Sequence, residues 1–273
     1  MNVDGFALVT GAGSGIGLEC ALAFAASGAA GVVFADINAI AVEKWAQKSQ
    51  ELAANPQYQA LALHVDISDE VSVWSMVENA RKKFGRIDYA VNSAGIGVKV
   101  PAEISNASII EFDTFININT RGTFLFTKAV TQVMKAQSVR STQGRNGPRD
   151  LGRGVIINIG SCNSYVPVGG IVQYTTSKHA VMGIVKSAAL DNAAYGIRVN
   201  AVCPSWVKSP MIDTAMEGSL ELRKMIEKAI PMSRIALPEE VSDMVLFLSG
   251  PGGSYITGVG YIIDGGTTLQ MHT

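Results

Sequence analysis

Apolar runs of strand length alternate with helix-length amphipathic segments along most of the chain, and this alternation restricts the fold more than any single motif does. FALVT (6–10) leads into a helical segment running through Phe24. GVVFAD (31–36) precedes one from about Asn38 to Ala54, and LALHVD (61–66) one from Asp69 to Phe84. IDYAVN (87–92) is followed by a long stretch from about Ser108 to Ala136, and GVIINIG (154–160) by one from about Val172 to Tyr195. GIRVNAVCP (196–204) and GVGYIID (258–264) complete the series. Strands that are apolar on both faces and separated by helices predict a parallel sheet covered on both sides. We read one doubly wound α/β domain over 1–273, with 48% hydrophobic residues available to fill its core.

Two segments break the alternation. Residues 138–154 are polar, with four arginines, a proline and three glycines ahead of Gly154, which predicts a solvated surface loop. Residues 206–234 carry weak helical periodicity through Met211, Ile212, Met216, Met225 and Ile226. They follow a strand, so they project from the edge where open α/β sheets bind ligands, and a substrate lid is expected there.

The first strand runs into TGAGSGIG (10–17). The spacing of Gly11, Gly15 and Gly17 opens the first helix. Small residues there let backbone approach a pyrophosphate, while the helix N-terminus offers free N–H groups and positive potential. The next strand ends in Asp36, about twenty residues on, where a carboxylate can accept hydrogen bonds from an adenosine ribose. Asp36 also suits the N-cap of the following helix. Strand, glycines, helix and acid together predict a dinucleotide site.

Tyr174 and Lys178 in YTTSK stand at i and i+4, on one helix face. A nearby ammonium favours a phenolate, and lowering a phenol from ~10 by ~3 units takes ~4 kcal/mol. Ser161 ends the preceding strand at the same sheet edge, so its hydroxyl can approach the phenol. Asn119 falls inside the long helical stretch, where an asparagine competes for backbone groups and can bend the helix.

These motifs resemble the short-chain dehydrogenase/reductase family from about Phe6 to Gly266. TGAGSGIG, NSAG (92–95), ININTRG (116–122), GS (160–161) with YTTSK, RVNAVCPSWVKSPM (198–211) and IDGG (263–266) match it in order. Ser93 stands where the family has a second asparagine, and Ser205 where it usually has glycine. The resemblance implies a Rossmann-type sheet of about seven strands and a homotetramer or homodimer. It implies a catalytic tetrad of Asn119, Ser161, Tyr174 and Lys178. Tyr174 would exchange the proton, Ser161 bind the reacting oxygen, Lys178 bind the nicotinamide ribose, and Asn119 hold a water. It also extends the cofactor-binding set to Ser14, Ile16, Asp66, Ile67, Asn92, Ala94, Gly95, Pro204 and Val207, beside Tyr174 and Lys178. The long 138–154 insertion resembles those of fungal members that act on secondary metabolites.

Net charge is −1, so no basic field exists to hold nucleic acid or an anionic membrane surface. Neither a signal peptide nor a membrane span is evident, and Cys20, Cys162 and Cys203 fit no zinc pattern. A cytoplasmic protein without a metal is expected. The reading is an enzyme that moves a hydride between NAD and a secondary alcohol or ketone. The substrate pocket is expected at Cys162, Val166, Val168, Gly169, Met211 and Met216, which suggests an apolar substrate, cyclic ones included. An NADPH-dependent carbonyl reductase is the nearest alternative. A nucleotide-binding scaffold without turnover is another, although a scaffold has no need of the tetrad.

Overall fold

The computed structural model describes residues 3–215 and 220–269. Its strands are β1 (Phe6–Thr10), β2 (Gly31–Asp36), β3 (Gln59–His64), β4 (Tyr89–Asn92), β5 (Arg140–Gly144), β6 (Gly147–Gly152), β7 (Gly154–Ile159), β8 (Ile197–Pro204) and β9 (Gly260–Ile263). Its helices are α1 (Gly15–Ala26), α2 (Ala39–Leu52), α3 (Glu70–Phe84), α4 (Ile109–Phe115), α5 (Gly122–Lys135), α6 (Val172–Ala193), α7 (Pro210–Ala215), α8 (Leu220–Ala229) and α9 (Pro238–Ser249). Seven strands form one parallel sheet in the order β3-β2-β1-β4-β7-β8-β9. The order reverses beside β1, which opens a crevice beyond the C-terminal ends of β1 and β4.

The predominant apolarity of the central strands follows from burial on both faces. In β1, Leu8 enters one core layer with Met76, Phe126 and Val185, while Ala7 and Val9 enter the other with Phe24, Phe34 and Leu248. No described helix is long and apolar enough to cross a membrane.

Three expectations change. The stretch from Ser108 to Ala136 is not one regular helix: α4 and α5 are joined through Ile116–Arg121, wound as a π-helix. Asn119 sits inside that wider turn, where freed backbone groups relieve its poor fit to an α-helix. Asn38, not Asp36, caps α2, accepting the Ala41 N–H at 3.1 Å. Residues 138–154 are not an irregular loop, because β5 and β6 pair antiparallel across a turn at Arg145 and Asn146.

The hairpin is pinned by charge rather than by an apolar face. Arg140 donates to the Tyr89 hydroxyl at 2.9 Å, pairs with Asp4 and lies 3.7 Å from buried Asp88. Arg86 also holds Asp88, at 2.7 Å. Asp4, Asp88 and Tyr89 lie at strand beginnings, so the hairpin is fixed at the end of the sheet remote from the crevice. Replacing residues 141–151 by a short glycine–serine turn should leave cofactor binding and kcat/KM unchanged. Normal binding with lost activity would instead place the hairpin at an essential interface.

Candidate active site

A cleft of about 410 Å3 opens beyond the C-terminal ends of the central strands. The β1–α1 turn contributes Gly11, Ser14, Gly15 and Ile16, and β2 contributes Asp36. Asp66 and Ile67 follow β3, Ala94 and Gly95 follow β4, α6 supplies Tyr174 and Lys178, and Pro204 and Val207 end the series. The fold thus brings most of the expected cofactor set to one surface. Gly17 and Asn92 are exceptions, lying beneath the cleft rather than on it. A Cβ at Gly17 would come within 2.2 Å of the Gly11 carbonyl oxygen, so this glycine seats the turn on the helix. Asn92 accepts from the Thr10 hydroxyl at 2.7 Å and donates to Thr123 at 3.0 Å, which ties β1, β4 and α5 together below the floor.

The turn has the build of an anion cradle. Gly11 has a positive φ of 67°, and a Cβ there would meet the Ser93 backbone at 2.7 Å. Ser14 makes no side-chain cap on α1, so the first-turn N–H groups have no side-chain acceptor and border the cleft. Asp36 Oδ2 accepts the Gly13 N–H at 2.9 Å, which fixes its carboxylate beside the turn. Asp66 accepts from the Ser68 hydroxyl and backbone N–H, and these bonds hold it below the usual carboxylate range. These residues fit a dinucleotide: N–H groups for a pyrophosphate, carboxylates for hydroxyls and an adenine edge.

At the other end of the cleft, Lys178 is buried and donates to the Ile159 carbonyl at 2.9 Å, with Nζ 5.7 Å from the centre of the Tyr174 ring. Burial pushes the Tyr174 phenol up to about 12, against the pull of a hydrogen bond with Ser161. Burial also brings Lys178 down to about 8. The sequence expectation of a lowered phenol is therefore reversed in the protein alone, because desolvation of the anion outweighs its neighbours. At neutral pH the phenol is protonated and Lys178 is mostly an ammonium.

Asn119 is buried but does not line the cleft. Its Oδ1 accepts the Ile96 N–H at 2.9 Å, and its Nδ2 donates to the Ile96 carbonyl at 3.1 Å and to Ser177 at 3.1 Å. The side chain thereby clamps the loop after β4 to α6. Its backbone carbonyl accepts the Thr123 hydroxyl at 2.7 Å.

The expected substrate pocket is less well gathered. Cys162 is half-buried beside Ser161, but neither it nor exposed Val168 lines the cleft. Both stand in the segment between β7 and α6. Burial raises the Cys162 thiol, which suits packing rather than nucleophilic attack. Met211 belongs to α7, and Met216 lies outside the described residues. Residues not anticipated as cleft lining include Ile96, Ile118, Ile159, Gly160 and Ser209. Their common signal is position, at or just past a strand end or in the π-turn. Among the described residues, no group of three or more His, Cys, Asp or Glu could hold a metal ion.

The family profile described as enoyl-(acyl carrier protein) reductase matches residues 11–268. The chain is 53% identical over 273 residues to the short-chain dehydrogenase anuF of Penicillium roqueforti (strain FM164), covering 100% of this chain and 99% of that one. The crystal structure of levodione reductase superposes with a TM-score of 0.88 at 28% identity, covering 99% of this chain and 100% of that one. A 3-ketoacyl-(acyl-carrier-protein) reductase from Brucella melitensis complexed with NADH superposes with a TM-score of 0.80 at 32% identity, covering 98% and 99%. With the parallel sheet and its crevice, these matches establish that the chain belongs to the short-chain dehydrogenase/reductase family, oxidoreductases that move a hydride between a nicotinamide dinucleotide and a small carbonyl or alcohol.

Proposed function

We propose that the protein interconverts a small, largely apolar secondary alcohol, cyclic ones included, with its ketone, and that it uses NAD in preference to NADP. The carrying observation is a single cleft with Asp36 at one end and Tyr174 with Lys178 at the other. When bound, the nicotinamide supplies or accepts the hydride at the substrate carbon. The chain's own residues handle the proton and the geometry. Tyr174 gives its phenolic proton to the developing alkoxide during reduction, or takes it from the alcohol during oxidation. Ser161 holds the same oxygen. Lys178, fixed by the Ile159 carbonyl, presents its ammonium to the ribose and to Tyr174. Asn119 fixes the loop after β4, and its place in the π-turn supports its holding a water there.

Of the described residues lining the cleft, Lys178 alone is basic. That supports NAD, since a ribose phosphate beside Asp36 would find no counter-charge there. Among relatives, levodione reductase is named for a dione, and the Brucella reductase was crystallised with NADH. A role in secondary metabolism rests on the resemblance of the 138–154 insertion to those of fungal members, and the similarity to a short-chain dehydrogenase of Penicillium agrees with a fungal setting. Val207, Ser209, Pro210 and Ile212 line the cleft, which supports a lid role for the 206–234 segment. In this reading the enzyme is a single-domain cytoplasmic homotetramer or homodimer, with Cys162, Val168 and Met211 near its substrate.

A panel of apolar secondary alcohols and their ketones, cyclic members included, tests the activity. Absorbance of the reduced cofactor reports turnover with NAD+ or NADH. Turnover of at least one pair is expected. NADH binding without any turnover across the panel would favour a nucleotide-binding scaffold instead.

A further inference from the structure

Ser161 begins a one-turn helix, Cys162–Ser164, and its hydroxyl accepts the Asn163 backbone N–H at 3.1 Å. That bond alone is an ordinary cap. The Asn163 side chain does something a cap does not require. Its Oδ1 accepts the Ser161 hydroxyl hydrogen at 3.3 Å, and its Nδ2 donates to the Val166 carbonyl at 3.2 Å. The Val166 bond fixes which end of the amide faces Ser161, because a carbonyl can receive only the NH2 end. Asn163 is buried, so its amide has no competing water.

Ser161 has one hydrogen and two lone pairs. Asn163 takes the hydrogen and fills one lone pair. One lone pair remains, and the Ser161 hydroxyl stands close enough to Tyr174 to favour its phenolate. When a substrate oxygen arrives, Ser161 must turn its hydrogen from Asn163 to that oxygen. The Cys162 thiol, 3.6 Å from Asn163 Oδ1, is placed to donate in its stead.

We propose that Asn163 is a positioning residue for the reaction: it holds the Ser161 hydroxyl in one orientation beside Tyr174 and keeps its hydrogen engaged until substrate binds. This rests on the assignment of Ser161 and Tyr174 to the reacting oxygen. Asn163 acts only through Ser161, so its effect must vanish when the hydroxyl is absent.

A double-mutant cycle tests this. Asn163→Ala should lower kcat about tenfold or more while leaving NADH affinity unchanged, as expected for a misplaced reacting group. Ser161→Ala should lower kcat further, with little effect on cofactor affinity. The double variant should match Ser161→Ala alone. Unchanged NADH affinity and circular dichroism establish that each variant is folded. Asn163→Asp has nearly the same shape, keeps the acceptor for the Ser161 hydrogen and loses the donor to Val166. Its carboxylate would hold the hydrogen more tightly and repel a phenolate, so the rising limb of kcat for alcohol oxidation should move to higher pH. A double variant whose loss is the product of the single losses would overturn the proposal, as would Asn163→Asp with a wild-type pH profile. A wild-type kcat in Ser161→Ala would instead remove the assignment of Ser161 beneath it.

Discussion

Tyr174→Phe is expected to bind NADH like the wild type and to lose about 10²- to 10⁴-fold in turnover, the usual share of a positioned proton donor. The ring itself should stay where it is. It packs edge-on against Phe115, with centroids 6.2 Å apart and planes at 86°, and phenylalanine keeps that contact. Lys178 is anchored by the Ile159 carbonyl rather than by the phenol, so the ribose end of the cleft is undisturbed. What disappears is the proton. Burial holds the phenol at about 12, so at neutral pH it can donate to a ketone without prior ionisation. Taking a proton from an alcohol requires the phenolate. Reaching it at pH 7 from that value takes ~5 units, or ~7 kcal/mol of differential interaction, from the Lys178 ammonium and the charge of an oxidised nicotinamide. Because the phenolate fraction grows with pH, wild-type alcohol oxidation should climb between pH 6 and 8, while ketone reduction should not. The ammonium, held near 8, is lost above that range and its support with it. The Phe variant should show no such slope. Near-wild-type rates on a verified substrate would remove Tyr174 from the mechanism.

The sheet was legible because burial on both faces leaves no room for polar alternation. Leu8 and Val9 face opposite core layers, so β1 is apolar from Phe6 to Val9, and its one polar residue, Thr10, is hydrogen-bonded at its end. The β5–β6 hairpin was not legible for the converse reason. Its strands pack on no core, and its register depends on Arg140 meeting Asp88 and Tyr89, residues distant in sequence. The pairing of Tyr174 with Lys178 could be read from local spacing, since they share a helix face, whereas Ser161 and Asn119 were joined to them by the family resemblance. The depth of burial that sets their protonation could not, because desolvation belongs to the assembled fold. Gly17 and Asn92 show how motif membership differs from contact: both belong to the expected motifs, yet both stabilise the layer beneath the cleft. The substrate side was the least legible. Cys162 and Val168 lie next to Ser161 and Tyr174 along the chain, but the space enclosed by the fold runs the other way, toward Asp36.

That acid underlies the second large effect. Wild-type protein should prefer NAD over NADP by at least ~100-fold in kcat/KM, which uses ~2.7 kcal/mol. NADP carries a phosphate on the adenosine ribose, and like charges at ~4 Å repel by ~4 kcal/mol at an effective dielectric of 20. Asp36 cannot easily turn aside, because Oδ2 accepts the Gly13 N–H and Oδ1 the Asn38 N–H, each at 2.9 Å. Gly13 allows this closeness, since a Cβ there would sit 3.0 Å from the carboxylate. Each oxygen retains a lone pair for a ribose hydroxyl. Compensation would need a lysine or arginine in the glycine turn or just past β2, and those places hold Ala12, Gly13 and Ser14, then Ile37 and Asn38. Asp36→Ala should therefore narrow the preference from both sides. It removes the repulsion against NADP, and it weakens NAD by deleting the ribose acceptor and releasing the Gly13 amide that orders the turn. The measurement is kcat/KM for both cofactors with one substrate, in wild type and variant. Equal use of NADP(H) and NAD(H) by the wild type would mean that Asp36 does not meet the ribose.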